Sequence, residues 1–301
     1  MKRYSSYLGN NSFAIFLFHG VIAEHRHQIR NYNGKHLLLD RFVEVLEDLH
    51  ESGTAISMQQ VADATLSGKA LPSRAFAVTF DDGFENNYLL AAPVLRKLGI
   101  PATFYITTNF IESNGSSWID AIELVVEYSG ELRVDLPLLG LEGVYSSVEE
   151  KIKLLDNIRR IVKSKPDIDP YEFADDFCRN VKSSHPHLDA ELDQKMAWQQ
   201  VIELDRDPLF TIGGHGHTHR ILEFLNDSDL QQEIAISLGI LAGHLGHEVT
   251  HYSYPEGLVN CYSERVIQVL KRFKVVCAPS AETGINQFGE SLFDLRRITV
   301  L

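Results

Sequence analysis

Apolar and polar positions alternate between two regimes along this chain. Short apolar runs recur as "FAIFLFH" (13–19), "FAVTF" (76–80), "PATFYIT" (101–107), "LFTIGGH" (209–215), "VTHYSYPEG" (249–257) and "KVVCAP" (274–279). Between them lie stretches whose apolar residues fall at helical spacing. Over 40–53, Phe42, Val45, Leu46 and Leu49 make one stripe, with Asp40 as candidate N-cap and Gly53 as stop. The same reading predicts helices over 89–99, 227–246 and 261–273. Buried runs alternating with helices imply parallel strands, with a site at their C-terminal ends.

One region breaks the rhythm. From about 114 to 195 the chain reads as helical and polar, in "WIDAIELVVEYSG", "SSVEEKIKLLDNIRRIVKS" and "DPYEFADDFCRNVKS". That is far longer than an ordinary connection, so a mainly helical insertion is expected within one domain spanning 1–301. A lid over the site and a packing or dimerisation element are both open readings of it. The sequence assigns no oligomeric state.

Composition adds exclusions. With 301 residues, 44% of them hydrophobic, the chain has enough apolar material for a sizeable core. A net charge of −13 argues against a nucleic-acid partner, because phosphate binding needs a basic surface. Cys178, Cys261 and Cys277 are odd in number and far apart, which reads as free thiols in a reducing compartment. The apolar run 13–18 follows Lys2 and Arg3, but it is short and ends on His19 and Gly20, so a first strand is expected rather than a signal peptide. No stretch approaches the ~20 apolar residues of a membrane span, and a cytoplasmic location is expected.

The chemistry gathers where apolar runs stop. "TFDDG" (79–83) places Asp81 and Asp82 side by side at a strand end, an arrangement that demands positive charge nearby. "IGGHGHTHR" (212–220) supplies His215 and His219, four residues apart, with His217 between them on another face. Two histidines and one carboxylate make a plausible three-ligand set for a divalent metal.

TFDDG followed by H-x3-H resembles the polysaccharide deacetylases of the NodB-homology type, carbohydrate esterase family 4. "LGIPATFYITTNFI" (98–111), "MAWQQVIEL" (196–204), "SYPEG" (253–257) and "LRRITV" (295–300) are similar to further segments of that family. The resemblance implies a distorted (β/α)7 barrel carrying the helical insertion. It also implies Asp81 as catalytic base, with Asp82, His215 and His219 as metal ligands. Zinc is the expected ion, and cobalt, nickel and iron accept the same ligands.

Two departures shift roles to other residues. Many members carry an Arg in the third motif that orients the base, whereas this chain reads Ser253-Tyr254-Pro255-Glu256. Arg297 is the candidate replacement, with Arg296 second. No "LxH" follows the third motif, but Leu17-Phe18-His19 ends the first strand, as in a permuted subgroup with a YPxG motif. His19 is therefore the candidate general acid. Tyr254, Pro255 and Glu256 are expected at the substrate, the last through its backbone N–H. Trp118 and Asp120 of "SSWIDAIE" are candidate sugar contacts, with an inward-packed helix start as the alternative.

The implied function is metal-dependent hydrolysis of N-acetyl, or O-acetyl, groups of a carbohydrate. The expected substrate is an N-acetylhexosamine in surface-polysaccharide assembly. Alternatives are allantoinase- or imidase-like hydrolysis of small C–N substrates on the same scaffold, and a non-catalytic carbohydrate-binding protein.

Overall fold

The computed structural model describes residues 3–136, 139–181 and 188–301. It falls into two compact units, one of Met1–Glu24, Lys35–Gly115 and Gln194–Leu301, the other of His25–Gly34 and Ser116–Asp193.

In the first unit most of the apolar runs become parallel strands, but the run expected over 274–279 is not one: it carries a single bridge at Cys277 and leads into the strand Pro279–Thr283. Ser12–Phe18 pairs with Ala75–Phe80 from Phe13↔Ala75 to Phe18↔Phe80, and every residue of both strands is buried. Burial on both faces explains why these runs do not alternate. Ala75–Phe80 pairs with Ala102–Ile106, which pairs with Phe210–Gly214. On the other side, Ser12–Phe18 pairs with Leu295–Thr299, and that strand with Pro279–Thr283.

The open ends meet through a very short segment. Gly214 bridges Tyr252 in parallel, and His251 bridges Cys277. Backbone bonds from Gly214 N to His251 O (2.9 Å), Ser253 N to Gly214 O (2.9 Å) and Tyr252 N to Cys277 O (3.0 Å) complete the closure. Residues 251–252 thus act as a seventh stave between Phe210–Gly214 and the chain entering Pro279–Thr283. The result is an α/β barrel of seven parallel staves, distorted where this one is shortest.

Helices cover the outside. Leu39–Ser52 buries Phe42, Val45, Leu46 and Leu49, and its Phe42 ring meets Phe18 edge-on at 5.2 Å. Phe18, Phe80 and Phe104 stack across adjacent strands at 5.3 and 5.0 Å. Asp40 does not cap this helix as expected; Leu38 holds the cap position without a side-chain bond, and Asp40 lies in the first turn. There it still complements the helix dipole. The glycine pair before His215 has a packing reason. A Cβ on Gly213 would lie 2.5 Å from Tyr105 Cδ1, and one on Gly214 would lie 2.8 Å from Tyr252 Cδ2.

The second unit takes in the expected insertion together with residues 25–34. It is not purely helical. Leu132–Leu136 and Leu141–Tyr145 form an antiparallel hairpin beside the helices Trp118–Glu127, Val148–Val162 and Pro170–Asn180. Its core includes Trp118, Ile122, Leu132, Val134, Leu154, Leu155, Ile158 and Phe177. Glu127 gathers residues 28–30 by accepting their three backbone N–H groups, and Arg30 makes a buried two-bond pair with Asp193.

Candidate metal centre and catalytic site

Strand pairing carries the candidate residues to one end of the barrel. Asp81 and Asp82 leave Ala75–Phe80 directly beside His19, since Phe18 pairs with Phe80 and Asp81 N donates to Phe18 O at 3.1 Å. His215 follows Phe210–Gly214, and Ser253 follows the short stave.

Asp82, His215 and His219 are all buried, and their ligand atoms lie within 4.8 Å of one another. Asp82 Oδ1 is 3.3 Å from His219 Nε2 and 3.6 Å from His215 Nε2. His215 Nδ1 meets the Ser253 carbonyl at 2.8 Å. A carbonyl only accepts, so Nδ1 carries the proton and Nε2 keeps its lone pair. Burial pushes His215 down, holding the neutral form a metal needs. Asp82 Oδ1 is buried with no hydrogen-bond partner, although Lys35, His219 and His19 hold the carboxyl well below its usual range against the cost of burial. For His219, burial is outweighed by the nearby Asp82 and its pKa is raised. An orphaned carboxylate oxygen facing two imidazole nitrogens fits a divalent cation held by one oxygen and two nitrogens.

The histidine loop is built by Glu233 of the Asp227–Leu245 helix. Its carboxylate accepts from His217 N (2.7 Å), Thr218 N (2.6 Å) and Thr218 Oγ1 (2.9 Å). The loop runs through left-handed backbone at Gly216 (φ 78°) and His219 (φ 58°). Asp82 (φ 75°) and Glu256 (φ 62°) share that uncommon conformation. Such strain persists only where the surroundings over-determine it.

Asp81 is held differently. Arg297, fully buried inside the barrel, donates Nη1 to Asp81 Oδ1 at 2.8 Å and Nη2 to Oδ2 at 2.7 Å. The guanidinium also donates to Ser280 O (2.6 Å), Thr79 Oγ1 (3.3 Å) and Ser253 Oγ (2.9 Å). Those contacts use all five donors of an arginine. Burial raises the Asp81 carboxyl, but Arg297 outweighs it and keeps the group ionised. Arg296 instead bonds Asn286 through its backbone, away from Asp81.

An edge of His19 reaches solvent, yet its packed surroundings push its pKa down to about 4, against the pull of Asp82. Tyr254 is fully buried, donates to Phe293 O at 2.9 Å and stacks on Tyr262 at 4.1 Å. Its hydroxyl is thereby committed to the scaffold. Pro255 and Glu256 form a tight turn closed by Gly257 N to Pro255 O at 2.7 Å. Ala281 N donates to Gly257 O at 2.8 Å, which ties the turn to Pro279–Thr283. Trp118 is only 3% exposed within the second unit's core, and the Asp120 amide is capped by Ser117 Oγ at 3.3 Å. That is the packing of an inward-facing helix start.

Sequence reading missed Lys35, whose Nζ lies 3.1 Å from Asp82 Oδ2, and Glu233. The one available signal for Glu233 was a lone acid on the apolar face of a helix.

A family model for polysaccharide deacetylase matches residues 68–278, and the chain belongs to that family. Over 86 residues it is 31% identical to the poly-beta-1,6-N-acetyl-D-glucosamine N-deacetylase of Escherichia coli (strain K12), covering 28% of this chain and 12% of that protein. Among solved structures it is similar to the Streptococcus pyogenes deacetylase PplD in complex with acetate. That match has a TM-score of 0.61 at 15% identity, over 96% of this chain and 92% of the other. IcaB from Ammonifex degensii superposes with a TM-score of 0.61 at 16% identity, over 98% and 94%. At such identity these likenesses show the fold. Among the described residues, no helix is long and apolar enough to cross a membrane.

Proposed function

We propose that this chain is a divalent-metal-dependent deacetylase that hydrolyses N-acetyl groups of a carbohydrate, an N-acetylhexosamine in surface-polysaccharide assembly being the substrate class. The observation that carries the reading is the unequal treatment of two adjacent carboxylates. Asp81 has both oxygens bound by Arg297, while Asp82 turns a bare oxygen toward two histidine nitrogens. The first is built to stay ionised as a base and the second to hold a cation. The likeness to a poly-N-acetylglucosamine deacetylase supports an amino-sugar substrate.

When bound by Asp82, His215 and His219, a divalent ion such as zinc supplies Lewis-acid polarisation of the acetyl carbonyl and lowers the pKa of a water. Asp81, fixed by the guanidinium fork, accepts the proton of the attacking water. The Glu256 backbone N–H, in the turn at Pro255–Gly257, is the donor assigned to the developing oxyanion. His19 delivers a proton to the departing nitrogen. Its low pKa keeps it neutral at rest, so that proton is taken up during turnover. Water contributes hydroxyl to the acyl carbon and hydrogen to nitrogen, giving acetate and a free amino sugar.

The test is acetate release from short β-linked N-acetylglucosamine oligomers and nucleotide-linked N-acetylhexosamines, with metal-stripped and zinc-reloaded protein. Metal-dependent release lost in Asp81→Asn is expected. Release unaffected by stripping, or by Asp81→Asn, would overturn the mechanism.

A further inference from the structure

Among the described residues, Lys35 is a cation touching the candidate ligand set that neither the motifs nor the mechanism uses. Its Nζ is 3.1 Å from Asp82 Oδ2, on the oxygen opposite the one that faces the histidines. The side chain is largely buried, at 16% exposure.

The protein invests structure in placing it. Lys35 directly precedes the strand His36–Leu38, which pairs in parallel with Gly20–Ile22, the segment immediately after His19. His36 is itself locked. Its Nδ1 accepts from Asn86 Nδ2 at 3.0 Å, and its ring meets Phe84 edge-on at 4.5 Å. Asn86 Oδ1 in turn accepts from Val21 N at 3.2 Å. The contact depends on Gly20, where a Cβ would lie 2.1 Å from His36 Nδ1. The Lys35 ammonium rests over the Phe84 ring at 4.8 Å, and Phe84 follows Gly83 of the TFDDG segment. Lys35 and Asp82 are therefore fixed by one packed unit, not by a chance meeting of surface side chains.

A carboxylate ligand can offer a metal one oxygen or two. With Oδ2 engaged by an ammonium, Asp82 presents Oδ1 alone, toward His215 Nε2 and His219 Nε2. We propose that Lys35 is a positioning residue that restricts Asp82 to single-oxygen coordination, so that three protein atoms hold the ion and positions stay open for water and substrate. This inference rests on the metal-site reading above.

The experiment loads metal-stripped wild-type, Lys35→Met, Lys35→Ala and Lys35→Gln proteins with one equivalent of cobalt(II), whose visible spectrum reports coordination number. Binding stoichiometry and thermal melting are measured on each. The wild-type spectrum should be that of a low-coordinate site. Both apolar variants should shift to the weaker, blue-shifted absorption of higher coordination as Asp82 closes on the ion with two oxygens. Lys35→Gln, which keeps an N–H donor without the charge, should restore the wild-type spectrum. Wild-type spectra in both apolar variants, or a Gln variant that shifts as they do, would overturn the role of Lys35 alone. Failure of wild-type protein to bind cobalt would overturn the metal site itself.

Discussion

Arg297 and Asp81 form a two-bond ion pair across 216 residues of chain, with both partners buried. Replacing Arg297 by Met leaves Asp81 as an uncompensated buried charge. Denaturant titration of Arg297→Met should show a loss of about 3–5 kcal/mol. The double variant Arg297→Met/Asp81→Asn should recover much of it, because the charge has gone as well. Arg297→Lys, a point charge without the fork, should fall between wild type and Met in stability and lose most acetate release.

Glu233 touches no ligand atom, yet it accepts three hydrogen bonds from the loop between His215 and His219. In Glu233→Ala that loop loses its template, and zinc affinity should fall by about 10–100-fold in a competition titration with a chromophoric chelator. Glu233→Gln keeps an acceptor for the two amides and should stay near wild type. Equal affinities for Ala and wild type would show that the loop holds itself.

The buried His251 gives the barrel an acid sensitivity. Its Nε2 donates to Gln59 Oε1 at 2.8 Å, and burial lowers its pKa from 6.5 to about 4. The unfolded chain therefore takes up this proton first. His251 supports the fold fully above pH 6.5, and that contribution is lost as the pH falls toward 4. The difference is on the order of 3 kcal/mol. Urea melts at pH 7 and pH 4.5 should show a smaller drop for His251→Leu than for wild type.

Gly213 admits the Tyr105 ring, and the contact leaves no room for a methyl group: a Cβ would also lie 3.0 Å from His251 O. Gly213→Ala should cost about 1–3 kcal/mol by overpacking. Because His215 lies two residues on, its zinc affinity should weaken as well, while Gly243→Ala, at an open helix position, should leave zinc affinity unchanged and raise stability by up to about 1 kcal/mol.

Four barrel strands were legible because a strand buried on both faces is written as an unbroken apolar run. Pro279–Thr283 and Leu295–Thr299 mix polar residues into their sequence and leave no such run. The stave at 251–252 was also less legible. Only bridges define it, and its strand character comes from its neighbours, not from its own length. The paired strands Leu132–Leu136 and Leu141–Tyr145 left a readable trace in the alternation of Leu132, Val134 and Leu136 with Arg133 and Asp135. The surrounding helical pattern masked it. At the site, the candidate ligands sit in compact motifs, but Lys35 meets Asp82, and Glu233 the loop between His215 and His219, through tertiary packing that no local period encodes. Arg297 was found by asking what could replace a missing arginine; its five-bond setting depends on strands that sequence alone does not juxtapose.

The strand Leu295–Thr299 lies against Ser12–Phe18, so residues from opposite ends of the described chain meet beside Asp81. While the chain is being made, the Ala75–Phe80 strand leaves the ribosome long before Arg297 exists, and until then Asp81 has no guanidinium to bury against. The surroundings of Asp81 are therefore among the last parts of the barrel able to consolidate. Hydrogen exchange on ribosome-stalled chains of increasing length should find the amides around Asp81 protected only once Arg297 has emerged, and those of the Leu39–Ser52 helix at shorter lengths.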